Sequence, residues 1–146
     1  MDNRAEYLDL NIKTTAQNLT GNFADLGSEI NCQGYKHLKV YLDITIGDSE
    51  GVTLQGLAKR VPGGDGFHLP LAQVDVAEDE VLIDQEILVT NYNTSARQCY
   101  DFNLAGVKFL QLQVKAGVAG GGPGNVKAWG VLSNCLPGGR TATDST

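Results

Sequence analysis

Residues 37–46 read HLKVYLDITI, and this stretch decides the fold class. Leu38, Val40, Leu42, Ile44 and Ile46 share one parity, while His37, Lys39, Tyr41, Asp43 and Thr45 share the other. Successive side chains of a β-strand point to opposite faces, so this alternation sets five apolar residues against a core and a mixed polar row outside. Residues 108–116, KFLQLQVKA, repeat the pattern: Leu110, Leu112, Val114 and Ala116 are expected inward and Gln111, Gln113 and Lys115 outward, with Phe109 as an apolar exception on the outer side. Strands with one wet face belong to antiparallel sheets, because parallel α/β sheets are covered on both sides.

Outward from these two segments, further strands are expected at 8–13, 17–23, 52–59, 68–76, 81–90, 98–104 and 126–132, separated by Gly, Asn, Asp and Pro. About eight short strands at this spacing predict an all-β, antiparallel β-sandwich, jelly-roll-like in architecture. Residues 49–60 are the nearest approach to a helix, but Gly56 weakens one and Val52-Thr53 favours a strand. The expected organisation is an N-terminal arm at 1–7, a sandwich domain at 8–135 and a C-terminal tail at 136–146.

The chain has 146 residues, the length of one ordinary domain, and a net charge of -6 at pH 7. Its lysines and arginines are scattered singly, so no basic stripe points to nucleic acid or an anionic membrane. No apolar run has spanning length, and the start MDNRAEYLDLNIK is acidic and polar where a signal peptide is basic and then apolar, so a soluble protein handled inside the cell is expected. Cys32, Cys99 and Cys135 are too widely spaced for a C-x-x-C pair or a zinc knuckle and read as buried thiols. Asp75, Glu78, Asp79, Glu80, Asp84 and Glu86 cluster without EF-hand spacing, the default for solvated turn charge, and no cofactor is expected.

Two motifs invite chemistry. Gly47-Asp48-Ser49-Glu50-Gly51 matches G-x-S-x-G, which can set a nucleophilic serine on a strand-to-helix elbow. The sole downstream histidine is His68, beside Asp65 in sequence, which leaves no independent strand to orient a base. The stretch supplies all the chemistry of a polar turn, since Asp and Ser bond nearby backbone N–H groups and Gly takes positive φ, so no catalytic residue is expected and serine hydrolysis by Ser49 is the lesser alternative. The second motif, residues 117–124, reads GVAGGGPG, but Pro123 stands where a phosphate-binding loop needs lysine. It is expected to close a hairpin between the strands at 108–116 and 126–132. That pairing would bring Phe109 near Trp129, an apolar outer patch for another protein, for the N-terminal segment or for sugar rings. The expected protein-contact residues are thus Phe109, Trp129, Gly120, Gly121, Gly122 and Pro123.

The segment FADLGSEI at 23–30, Gly34-Tyr35 leading into 37–46, then 52–60 and, after the acidic middle, 108–116 with its glycine-rich loop, together resemble small structural proteins of tailed bacteriophages, particularly β-sandwich head decoration proteins. The resemblance spans roughly residues 17–134. It implies a non-enzymatic virion protein, assembled in the host cytoplasm, that cements a head lattice by binding the major capsid protein or another virion protein, as a homo-oligomer such as a trimer. A glycan-binding or tail-associated module is the alternative.

Overall fold

The structure is a computed structural model and describes residues 6–48, 51–69, 87–90, 96–117, 122 and 124–135. Ten strands lie in this part of the chain: β1 (Tyr7–Asn18), β2 (Ala24–Asp25), β3 (Ile30–Asn31), β4 (His37–Thr45), β5 (Val52–Lys59), β6 (Gly66–Leu69), β7 (Ile87–Thr90), β8 (Ala96–Asn103), β9 (Phe109–Ala116) and β10 (Asn125–Ser133). All pairings are antiparallel. Sheet A has the order β1-β10-β4-β8, and sheet B contains β2-β9-β5-β6 with β3 on β9 and β7 on β5. The result is an all-β antiparallel sandwich, jelly-roll-like, as the alternation at 37–46 requires.

The core lies between the two sheets. Leu38, Val40, Leu42 and Ile44 of β4 are at most 2% exposed, as are Leu110, Leu112, Val114 and Ala116 of β9, so both diagnostic strands bury the expected parity. Val126, Ala128 and Leu132 of β10 and Phe102 of β8 complete sheet A's contribution. Phe102 needs a gap in the facing sheet. A Cβ on Gly56, in the middle of β5, would sit 2.9 Å from the Phe102 ring and 3.2 Å from Leu110, so the ring occupies the space that glycine leaves.

Four expectations about elements change. The strands placed at 8–13 and 17–23 are one strand, β1, kept on β10 through register shifts between Leu10 and Lys13 and between Lys13 and Gln17, while residues 19–23 leave the sheet. Those bulges absorb the polar run Lys13-Thr14-Thr15, which broke the sequence alternation. Strands β2 and β3, two residues each, are too short to show a period. The segment that carries them covers β9, so Gln111, expected in water, is 5% exposed, and its Nε2 donates to the Gly27 and Leu112 carbonyls. Most consequentially, β9 and β10 form no hairpin: β9 pairs with β2, β3 and β5, β10 with β1 and β4, and residues 117–124 carry the chain from one sheet to the other.

Residues 52–59 are strand β5, matching the expected bounds and removing the helical alternative. Of the expected strands at 68–76 and 81–90, only 68–69 and 87–90 fall among the described residues.

Candidate functional site

The G-x-S-x-G turn and the glycine-rich loop, read separately in sequence, meet at one end of the sandwich. Asp48 N–H donates to the Gly122 carbonyl at 2.7 Å, and Gly122 N–H donates to Asp48 Oδ2 at 3.1 Å. Gly124, at φ +90°, lies flush on the end of β4: a Cβ there would be 2.2 Å from the Thr45 carbonyl oxygen and 2.6 Å from that of Ile46. Gly47, at φ +57°, faces the loop equally closely, with a hypothetical Cβ 2.4 Å from the Gly122 oxygen. Leu19 N–H donates to Gly124 and Gly117 N–H to Gly51, so the junction ties four chain segments together. These glycines serve close backbone approach and positive φ. Ser49, Gly120, Gly121 and Pro123 lie outside the described residues.

The elbow's companions are elsewhere. The residue after Gly51 opens a strand in an antiparallel sheet. His68 sits on β6 opposite Leu57, five positions along β5 from Val52, which at strand rise is about 17 Å. His37 begins β4 at the end remote from Gly47, with its Nε2 2.7 Å from Asp101 Oδ1. That histidine, expected in the outer polar row of its strand, is half-buried with its ring against the Asp101 carboxylate that Lys39 also meets.

The expected Phe109–Trp129 patch does not form, because the two aromatics lie on the outer faces of different sheets. Phe109 is half-buried on sheet B, opposite Lys59 and Asn31. Trp129 is half-buried on sheet A, where register places it in one row with Tyr41 of β4 and Cys99 of β8. Tyr41 is 42% exposed. Together with Leu42, Asp43, Arg97 and Gln98 these three line an open groove of about 560 Å³. The thiol expectation changes too: Cys32 is buried, and its desolvation pushes its pKa up to about 12, but Cys99 and Cys135 are exposed.

Charged rows flank the aromatic one. On one side Lys127, Asp43 and Arg97 are cross-strand neighbours, with Arg97 Nε 3.6 Å from Asp43 Oδ1. On the other, Lys39 Nζ is 3.3 Å from Asp101 Oδ1. Burial lowers the pKa of that lysine, but the Asp101 carboxylate more than offsets it and holds the group above its usual value. The face therefore offers an aromatic row lining an open groove, an exposed thiol and paired charges. Tyr41 and Asp43 were legible as outer-parity residues, but Arg97 fell outside the expected strand at 98–104, Cys99 read as a buried thiol, and the pairing β10-β4-β8 that gathers all four around Trp129 left no mark in the sequence. Among the described residues no group of three or more His, Cys, Asp or Glu side chains is placed to hold a metal ion, and the acidic cluster at 75–86 lies outside them.

No family model matches the chain, and no curated protein matches it in sequence. Among solved structures, the SPBc2 prophage-derived protein YomS is similar over 91% of this chain and 97% of its own, with a TM-score of 0.58 at 17% identity. A structure of Bacillus endospore appendages, described as disulfide-linked pili, aligns over 89% of this chain and 84% of its own, with a TM-score of 0.43 at 11% identity. A structure of infectious bursal disease virus, Gx strain, aligns over 95% of this chain and 35% of its own, with a TM-score of 0.44 at 12% identity. The YomS match, end to end on both chains, is a likeness of the whole sandwich.

Proposed function

We propose that this chain is a structural protein of a tailed-phage virion and, within that class, a head decoration protein that binds the major capsid protein and stabilises the lattice. The observation that carries the reading is the outer face of sheet A, where Trp129 and Tyr41 form an aromatic row between charged rows across strands paired in unbroken register. Supporting it, the sandwich matches a prophage-derived protein over nearly its whole length. Aromatic residues set in a polar rim are what protein interfaces enrich, and a lattice multiplies a modest patch over many copies.

In this reading Trp129 anchors the contact, and the loop holding Gly120, Gly121, Gly122 and Pro123 meets the same or an adjacent neighbour. Phe109, on the opposite face, would meet a different one. The test is composition and rebinding: the protein is expected among the proteins of its native virion, and purified chain is expected to co-sediment with decoration-free heads, with binding lost in Trp129→Ala. A chain that is absent from virions and never binds those heads refutes the proposal.

The second reading, a glycan-binding or tail-associated module, is favoured by one feature: the groove sets Trp129 and Tyr41 beside Asp43 and Arg97, a stacking platform with charged groups at its rim. It predicts saturable binding on a panel of surface polysaccharides that Trp129→Ala abolishes.

A further inference from the structure

Strand β8 is the outermost described strand of sheet A, and its edge is suited to pairing. It runs against β4 at every residue from His37–Asn103 to Ile44–Ala96 without a register shift, whereas β1, at the opposite edge, is interrupted twice. Natural edges are blunted by bulges, prolines or inward-pointing charges. Strand β8, ARQCYDFN, has no proline, and its inward parity of Gln98, Tyr100 and Phe102 is uncharged.

The outer parity of β8 reads Arg97, Cys99, Asp101, a set that is complementary to itself when reversed. We infer that two copies of this chain pair through β8, antiparallel about a two-fold axis at Cys99, so that their two four-stranded sheets continue as one. In that register Arg97 lies opposite the partner's Asp101, Asp101 opposite the partner's Arg97, and the two Cys99 residues face each other. A shift by two residues sets Arg97 against Asn103 in one direction and against Cys99 in the other, and both charge pairs are lost. The Arg97 side chain is 86% exposed, with its Nε 3.6 Å from Asp43, and Asp101 keeps 32% exposure beside His37 and Lys39, so both charges remain open to a facing partner.

The complementarity extends beyond the edge. Across the joined sheet the charges alternate in sign, Lys127, Asp43, Arg97, then the partner's Asp101 and the partner's Lys39, and the symmetry repeats the row in reverse. Between these rows Trp129, Tyr41 and Cys99 continue into the partner's Cys99, the partner's Tyr41 and the partner's Trp129, making one aromatic band. Opposite charges directly across a strand pair stabilise it and like charges oppose it. An isologous contact satisfies every such pair twice. The inference does not rest on the virion reading: a dimer that binds no phage head would sink that reading and leave this one standing.

Sedimentation of the full chain at high micromolar concentration tests it, with a species of twice 15.6 kDa expected. Arg97→Asp places like charges at both flanking positions and is expected to weaken the dimer about tenfold. Asp101→Arg acts likewise, and mixing the two variants restores a dimer, because every cross pair is then opposite in sign. Facing residues in antiparallel strands have Cα atoms about 4.5–5.5 Å apart, within disulfide range. In a Cys135→Ser background, glutathione disulfide is therefore expected to link the dimer through Cys99, the two thiols passing two electrons and two protons to it and releasing two glutathione thiols. Peptide mapping identifies the bond. If Asp101→Arg fails to fold through loss of its His37 and Lys39 contacts, Arg97→Asp and the cross-link decide. A monomer at that concentration, a trimer, or a dimer indifferent to Arg97→Asp and not linked through Cys99 overturns the inference.

Discussion

Gly124→Ala tests the junction between the glycine-rich loop and the end of β4. Two costs act together. At φ +90° an alanine leaves the conformations open to L-residues, a penalty of about 1–2 kcal/mol. Its Cβ would also lie 2.2 Å from the Thr45 oxygen and 2.6 Å from the Ile46 oxygen, backbone atoms that no rotamer change can move, and forced overpacking adds about 1–3 kcal/mol. The sum, about 2–5 kcal/mol, is a large fraction of a stability on the order of 5–15 kcal/mol. For a chain of this size it corresponds to a Tm lower by roughly 4–20 °C. The two costs separate by comparison. Gly34 has the same φ of +90° with nothing within 4 Å, so Gly34→Ala carries the backbone penalty alone, and Gly21→Ala, with open space and no positive φ, carries neither. Thermal melts followed by circular dichroism, with urea titrations at fixed temperature, are expected to rank the variants Gly21→Ala, Gly34→Ala, Gly124→Ala in increasing damage. Equal melting of Gly124→Ala and Gly34→Ala would refute the close packing of the loop on β4.

The same packing argument applies inside the core: Gly56→Ala crowds Phe102 and Leu110 and is expected to cost about 1–3 kcal/mol by urea unfolding, less in a Phe102→Leu background, where the space is already open. In native protein a thiol reagent is expected to modify Cys99 and Cys135 quickly and Cys32 only after unfolding, as read by mass spectrometry of digested peptides. Stability is expected to fall as pH rises from 9 toward 12. Cys32 ionises near 9 in the unfolded chain and near 12 in the fold, where burial disfavours the thiolate, and Tyr100 moves by desolvation from 10 to about 12, so the unfolded state binds fewer protons across this window. Urea midpoints measured through that range, with Cys32→Ala reducing the slope, check it.

The alternation at 37–46 and 108–116 carried the fold class because a period of two is set by the backbone itself and survives any tertiary arrangement. What it could not carry was the identity of each strand's neighbour. The glycine-rich loop has hairpin composition, yet it changes sheets, since a flexible segment between two good strands is compatible with either route. That one difference separated Phe109 from Trp129 and put Tyr41 and Cys99 beside the tryptophan instead. Gln111 misled for a related reason: its parity faces outward from β9, but the segment that pairs with the edge of β9 through β2 and β3 brings the Gly27 carbonyl, between those two strands, to its amide. Cys99 sits at a position whose exposure depends on β8 lying at the rim, which no local pattern reveals.

The placement of β10 has a consequence for how the chain comes to be folded. It is the last of the described strands in sequence but lies inside sheet A, between β1 and β4. Its register joins Ser133 to Tyr7, from opposite ends of the sheet's sequence, and the hydrogen bonds between Glu6 and Asn134 fasten the two just beyond it. During synthesis β1 therefore waits without its pairing partner, and β4 keeps one ladder edge open, until residues 125–133 have left the ribosome. Pairings this distant in sequence form slowly, on the order of milliseconds to seconds. Over that interval the open ladder edge of β4 stands beside its apolar row Leu38, Val40, Leu42 and Ile44, which only the completed sandwich buries.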